Sequence, residues 1–351
     1  MTGVRADYDG KVVLTGSQVV DGANMSALYI GPIQDTALGT VYLLTPQFAG
    51  QTITGANFYG PNTSIFTPSI GVGNVVAVGS YTYSESSVLN HGMIYRGPIA
   101  GGGTWTQIDV PSSAVGGAIV EDTIPHSTMG DLVVGNYDLQ GVPASGNAFV
   151  YDMATNTWTI FDESFGGTDQ LTSAYGIWQN SIGSSSYTIA GGSNHGIGVN
   201  QAFLVNYDSL TGLFSDLKFY EIDNVPGAVS HFEGITAIPG GFNLITQGVG
   251  GASMATVVVN PDGSFGEARW TPVGMPGATS STGNSVYQDI VMGIYLLSGT
   301  TAVPTYTAVI DQSQVSELGG LIMPVGALDF AYALTRPSRV PRHWQRPWST
   351  R

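Results

Sequence analysis

At 351 residues, with 49 glycines, no cysteine and only 10% charged residues, the chain is long enough to bury a core without help from metals or cross-links. The lack of cysteine excludes disulfides, thiol nucleophiles and thiolate-bound zinc. A formal charge of −15 repels nucleic acid phosphates and anionic membrane surfaces, so neither is expected as a partner of the acidic body.

The N-terminal MTGVRADYDGK has no apolar core of a signal peptide. A surface solvated by Ser, Thr and Asn instead of Lys and Glu suits an extracellular or periplasmic protein, but the sequence leaves the compartment open. Glycine-rich, charge-poor composition reads as turn-rich β structure. No stretch holds a 3.6-residue apolar period beyond two turns, so few helices are expected.

Along the chain a β-rich segment ending in glycine recurs as VVLTG (Gly16), VAVG (Gly79), LVVG (Gly135), TIAGG (Gly191), LITQG (Gly248) and YLLSG (Gly299). Each is followed by a second strand: ALYIGP, GMIYRGP, AFVYDM, AFLVNYD, TVVVNPD and YTAVID. DMATNTW, DSLTGLF and NPDGSF supply polar turns into a third strand. A fourth element carries its own glycine, as TITGANF (Gly55), SAVGGAI (Gly116), SAYGIWQ (Gly176), HFEGITA (Gly234), SSTGNSV (Gly283) and MPVGALD (Gly326).

Repeats of this length are one supersecondary unit each, and no unit buries both faces alone. The reading is an all-β chain: a β-propeller of six four-stranded blades over 1–335, with five or seven blades as alternatives. No Gly55-type element precedes Gly16, and the Gly326 element has nothing after it. Strand 323–332 is therefore expected to close the ring by pairing with the N-terminal strands.

The pairs IAGG with AFLVNYD and VVGNY with AFVYDMATNTW resemble kelch-type blades and the bacterial extracellular repeats named for a His-Ala-Phe triplet. Asn147 and Gln201 stand where that triplet has histidine. The resemblance implies the propeller fold and transfers no active site. Kelch-like galactose oxidases need a cysteine cross-link that this chain cannot make.

Propellers bind ligands at the end of the ring where the inner strands begin, and the sequence places polar residues there. His231 and Glu233 are two apart on one strand and share a side. Together they have the ingredients of a general acid/base pair, with His195 as a third catalytic candidate. Asn194, Tyr175, Tyr137, Asp138, Tyr81, His91, Thr54 and Thr282 are the candidate substrate-binding residues. Their other reading is turn chemistry or packing, which is also the reading for Trp105, Tyr151, Trp158, Tyr207 and Phe214 beside turns on outer strands.

No cofactor is expected. His91, His195 and Asp138 have metal-binding chemistry but no ligand spacing, and a calcium ion held by channel carbonyls would leave no mark in the sequence. The absence of G-x-S-x-G, P-loop and G-x-G-x-x-G motifs takes support from serine nucleophiles and nucleotide binding.

The run GGLIMPVGALDFAYAL at 319–334 is broken by Pro324 and Asp329, against a membrane span. The remainder, 336–351, holds five of the ten basic residues and no acid, with Trp344 and Trp348. It is expected to be disordered or to dock on the acidic body or a partner subunit. The functional reading is an enzyme acting by non-covalent acid/base chemistry on a small polar or carbohydrate-like molecule at the channel mouth, as hydrolase, lyase or isomerase. The alternative is a non-catalytic ligand-binding, glycan-binding or protein-interaction propeller.

Overall fold

The computed structural model describes residues 3–309, apart from 34–37, 143–145, 162–171, 195–198, 224, 226, 249–250, 300–304. The described chain is β throughout, with only short 3-10 turns, and no helix in it is long and apolar enough to cross a membrane.

The strands form antiparallel meanders in chain order. The first sheet is β1 (Gly3–Ala6), β2 (Val12–Val20), β3 (Ala23–Gly31) and β4 (Thr40–Leu44). The second is β5 (Ile53–Thr63), β6 (Asn74–Tyr83), β7 (His91–Pro98) and β8 (Thr104–Gln107). The third is β9 (Val120–Met129), β10 (Leu132–Leu139), β11 (Asn147–Asp152) and β12 (Thr157–Ile160). The fourth is β13 (Thr172–Gln179), β14 (Ser186–Ser193), β15 (Gln201–Asp208) and β16 (Leu213–Tyr220). The fifth is β17 (Val229–Ile238), β18 (Gly241–Gly248), β19 (Gly251–Val259) and β20 (Phe265–Pro272). A three-stranded sheet follows, β21 (Ser280–Tyr287), β22 (Ile290–Leu296) and β23 (Thr305–Val309). The molecule is a propeller of four-stranded blades, and among the described residues the complete blades number five, not six.

Middle strands are covered on both faces by neighbouring sheets, so they read as near-continuous apolar runs. Seven of the eight residues of Ser186–Ser193 are buried, while Leu213–Tyr220 at the rim is mostly open. Each interface between sheets holds a core. Val13 and Leu28 meet Phe58, Ala77 and Tyr95, and Val78 and Ile94 meet Val133 and Phe149. Val134 and Val150 meet Ile189 and Phe203, while Leu204 meets Phe232, Leu244 and Val257. Ile245 and Met254 meet Val286 and Val291. Ile290 and Met292 then meet Val4, Val12 and Leu14 of the first sheet, which completes the ring. Trp105, Trp158 and Phe214 pack against these cores at half-buried positions.

Ring closure therefore differs from the expectation. The slot beside Val12 is filled by the N-terminal Gly3–Ala6, whose residues pair with Val12–Thr15, and the circle is sealed by packing of sheet faces. Four residues reading GVRA are too short and too unlike the other inner strands to be seen as one. Residues 323–332 and the tail 336–351 lie outside the described residues. A second correction concerns the Gly116 element. Ser112–Val115 is a 3-10 turn with Gly116 left-handed at φ 66°, and the inner strand of that blade is Val120–Met129.

Candidate functional site

The inner strands β1, β5, β9, β13, β17 and β21 contact one another in that cyclic order and wall an axial channel. Each except β1 is interrupted by a bulge at a matching point. On β5 Phe58 pairs with Gly79 and Gly60 with Val78, which leaves Tyr59 unpaired. The same register shift leaves out His126 between Pro125 and Ser127, Tyr175 between Ala174 and Gly176, and Glu233 between Phe232 and Gly234. On β21 it leaves out Asn284. A bulge re-aims the extra residue away from the ladder. Here the recurrent bulge supplies one channel-facing side chain from each of these five inner strands.

The side chains meet. The Tyr59 and His126 rings are 5.3 Å apart between centroids, His126 and Tyr175 4.2 Å, and Tyr175 and His231 4.6 Å in a stacked arrangement. His231 Nε2 lies 2.7 Å from Glu233 Oε1, with both side chains about one-fifth exposed (20% and 22%). Ser230 Oγ is 2.8 Å from His231 Nδ1, and Thr246 Oγ1 donates to the His231 carbonyl. A second register shift, between Val229 and Phe232, accommodates His231.

Burial in the channel wall pushes the His126 pKa down to about 4, against the smaller upward pull of its contact with Asn136 and of Glu233. The imidazole is therefore neutral at pH 7, with Nε2 2.5 Å from Asn136 Oδ1. Burial also raises the phenols of Tyr59 and Tyr175, the latter assisted by the negative charges of Glu233 and Asp138. Both stay protonated and able to donate hydrogen bonds.

One layer further along the inner strands, Arg5 of β1 crosses the channel. Its Nη1 donates to the Val4 carbonyl at 2.9 Å, and its Nη2 to the Ile177 carbonyl at 3.1 Å and Ser127 Oγ at 3.4 Å. The guanidinium sits 5.5 Å over the Trp178 ring, while the buried Nε has no acceptor. Burial lowers its pKa only to about 10, so the channel floor stays cationic.

Of the candidates read from sequence, His231, Glu233 and Tyr175 are brought together. His195 lies outside the described residues, and Asn194 directly follows the strand Ser186–Ser193 at half-buried depth. Thr54 Oγ1 is 2.8 Å from Thr82 Oγ1, and Thr282 Oγ1 donates to Asn284 Oδ1 at 2.7 Å. Asp138 accepts from the Gly146 amide at 2.7 Å. Tyr81 and Tyr137 are each 1% exposed within interblade cores. His91 belongs to a separate cluster at the mouth. Tyr59, His126, Asn284 and Arg5 went unread because the glycine series does not mark their positions. Among the described residues no group of three or more His, Asp or Glu is arranged to hold a metal ion.

Asp122 faces Asp138 across the β9–β10 ladder. Burial, with Asp138 and Glu121 adding repulsion against the Asn90 hydrogen bond, raises its pKa from 3.8 to about 6. A raised folded-state pKa means the group favours the fold below pH 3.8 and loses that contribution as pH rises through about 6. Asp122→Asn is therefore expected to stabilise the protein at pH 8 by on the order of 2 kcal/mol and to do little near pH 4. Urea unfolding at the two pH values checks this, and an equal gain at both would show that ionisation is not the cause.

No protein-family model matches the chain, and no curated protein matches it. Among solved structures the chain is similar to a post-proline cleaving enzyme from Rickettsia typhi, at 10% identity and a TM-score of 0.41, over 87% of this chain and 50% of that one. It thus spans about half the length of that protein. A luciferin-regenerating enzyme matches at 11% identity and a TM-score of 0.42 over 86% of each chain. A GH43 endo-arabinanase from Bacillus licheniformis matches at 12% identity and a TM-score of 0.36, over 73% of this chain and 96% of that one. Likeness at this level carries no activity to the present chain.

Proposed function

We propose that the axial channel is the active site of an enzyme acting by non-covalent acid/base chemistry on a small polar or carbohydrate-like molecule. The three-stranded sheet is read as the sixth blade of the ring around it. The observation that carries this reading is the recurrent bulge. Four adjacent blades project Tyr59, His126, Tyr175 and the pair His231 and Glu233 into one continuous cluster.

Each group has a part suited to proton transfer. Glu233, bonded to His231, exchanges the proton, and His231 holds and orients the carboxylate. Tyr59 and Tyr175 present flat rings and phenolic donors of the kind that recognise hydroxyl-bearing molecules. Neutral His126 accepts or donates a hydrogen bond without bringing charge. Cationic Arg5 below them favours a substrate that is anionic or becomes so during the reaction. Hydrolysis, elimination and isomerisation all fit these roles.

A screen of neutral and acidic saccharides for product formation, with wild type and His231→Ala, tests the reading. The expected result is turnover by wild type that His231→Ala loses. Wild-type rates in His231→Ala would remove the channel from the chemistry. Saturable binding with no product from any substrate would support the non-catalytic alternative.

A further inference from the structure

On the same end of the ring, the loop YSESSVLNH between β6 and β7 carries an arrangement outside the channel cluster. Ser86 Oγ lies 2.7 Å from His91 Nε2, and His91 Nδ1 lies 2.7 Å from Asp109 Oδ2. The local fold explains why these three meet. Met93 pairs with Gln107 on β7 and β8. Continuing that antiparallel register by two residues sets His91 opposite Asp109 on one face. Ser86 then folds back over the ring from the preceding turn, whose ends are tied by the Ser86 amide to the Tyr83 carbonyl at 3.2 Å and the Leu89 amide to the Glu121 carbonyl at 2.9 Å.

The tautomer follows from the partners. Asp109 is an acceptor, so His91 Nδ1 carries the proton and Nε2 offers its lone pair to the Ser86 hydroxyl. Asp109 is itself fixed by the Gly92 amide at 3.0 Å and Gln107 Nε2 at 2.6 Å. The imidazole lies against both Tyr81 and Tyr83, at 5.4 and 5.0 Å between ring centroids, and its side chain is only 6% exposed. Ser86 remains half-buried, within reach of solvent. Asp109 also borders a cavity of about 260 Å³ whose other walls are Val88, Val110, Ser112, Ile119, Val120 and Thr123.

We propose that Ser86, His91 and Asp109 are a nucleophilic triad that hydrolyses carboxylic esters with a short, uncharged acyl chain. The roles are recognised by geometry and not by any motif around the serine. Ser86 Oγ bonds to the ester carbonyl carbon as its proton passes to His91 Nε2. The tetrahedral intermediate collapses with cleavage of the carbon–oxygen bond, and His91 returns the proton to the departing alcohol. Water then gives a proton to His91 and attacks the acyl-serine, which releases the carboxylic acid and restores the Ser86 hydroxyl. The Val88 amide, 3.0 Å from Ser86 Oγ, is the donor best placed to turn toward the oxyanion. Val88, Val110, Ile119 and Val120 of the neighbouring cavity suit a short acyl chain, and the acidic body disfavours anionic esters.

The test uses the full chain with a fluorophosphonate probe, read by intact mass and peptide mapping, together with hydrolysis of p-nitrophenyl butyrate. The expected result is one adduct per chain, on Ser86, with ester turnover lost in proportion to labelling. Ser86→Ala should lower turnover by about 10³-fold or more, and Asp109→Asn by about 10²-fold to 10⁴-fold. Wild-type labelling needs no variant to fold, so the outcome stands whether or not Asp109→Asn is stable. The proposal is overturned if the probe leaves the chain unmodified while a serine hydrolase control reacts fully. It is overturned equally if the adduct maps elsewhere or Ser86→Ala turns over ester at the wild-type rate. In those cases the three residues serve only to fix the turn.

Discussion

Alanine at Gly191 is expected to destabilise the protein by about 3 kcal/mol or more. A Cβ at this position would fall far inside contact distance of the Ser173 carbonyl oxygen and reach the Phe203 ring at 2.9 Å. The first obstacle is backbone in a paired inner strand, which no rotamer change relieves. Gly55 provides the contrast, because its added Cβ would meet only the movable Thr82 hydroxyl at 3.2 Å. Gly55→Ala is therefore expected to stay within about 1 kcal/mol of wild type, since alanine also narrows the unfolded ensemble. Urea titration of both variants measures the difference. Equal midpoints would mean that the close approach at Gly191 is not what the fold depends on.

The same collision explains why the repeat could be read. Cβ atoms added to Gly79, Gly135 and Gly191 would strike the carbonyl oxygens of Asn57, Ile124 and Ser173. Each of those residues stands two before a channel-facing bulge residue, Tyr59, His126 and Tyr175. In these three blades the inner strand runs so close to its neighbour that only glycine fits there. Hence the spacing of these second-strand glycines reports the architecture, while the bulged residue is Tyr, His, Tyr, Glu and Asn in turn and shows no period.

The candidate site was legible only where the second glycine series also fell in register. Gly176 and Gly234 directly follow Tyr175 and Glu233, so reading backward from them reached the channel in these two blades. Elsewhere Gly55 and Gly116 drew attention to segments that lie before the bulges at Tyr59 and His126, and Gly283 precedes Asn284. The counterpart of Gly79 in the fifth blade is Thr246, which pairs with Phe232, and in the three-stranded sheet it is Gly293. The burial of Tyr81 and Tyr137 was not legible, because a tyrosine near a turn looks the same in sequence whether its ring fills a core or a pocket. The triad was invisible for another reason: Ser86, His91 and Asp109 are joined by hairpin register, which spacing alone does not reveal.

Replacing Glu233 with glutamine carries the largest functional expectation: a fall in turnover of about 10² to 10⁴ with little change in KM. Glutamine has the same shape and keeps a carbonyl oxygen where Glu233 Oε1 meets His231 Nε2 at 2.7 Å. With Ser230 Oγ still 2.8 Å from Nδ1 and Tyr175 still stacked at 4.6 Å, the histidine stays in place. What glutamine cannot do is take up and release a proton. The substitution thus separates proton transfer from shape, because an interaction used only in the transition state lowers kcat and kcat/KM together. His231→Ala lacks that resolution, since it also strips a ring from the stack on Tyr175. Steady-state kinetics on the substrate found by screening decide the matter. An unchanged kcat with a raised KM would make Glu233 a binding group and hand the acid/base role to another channel residue, with neutral His126 next in line.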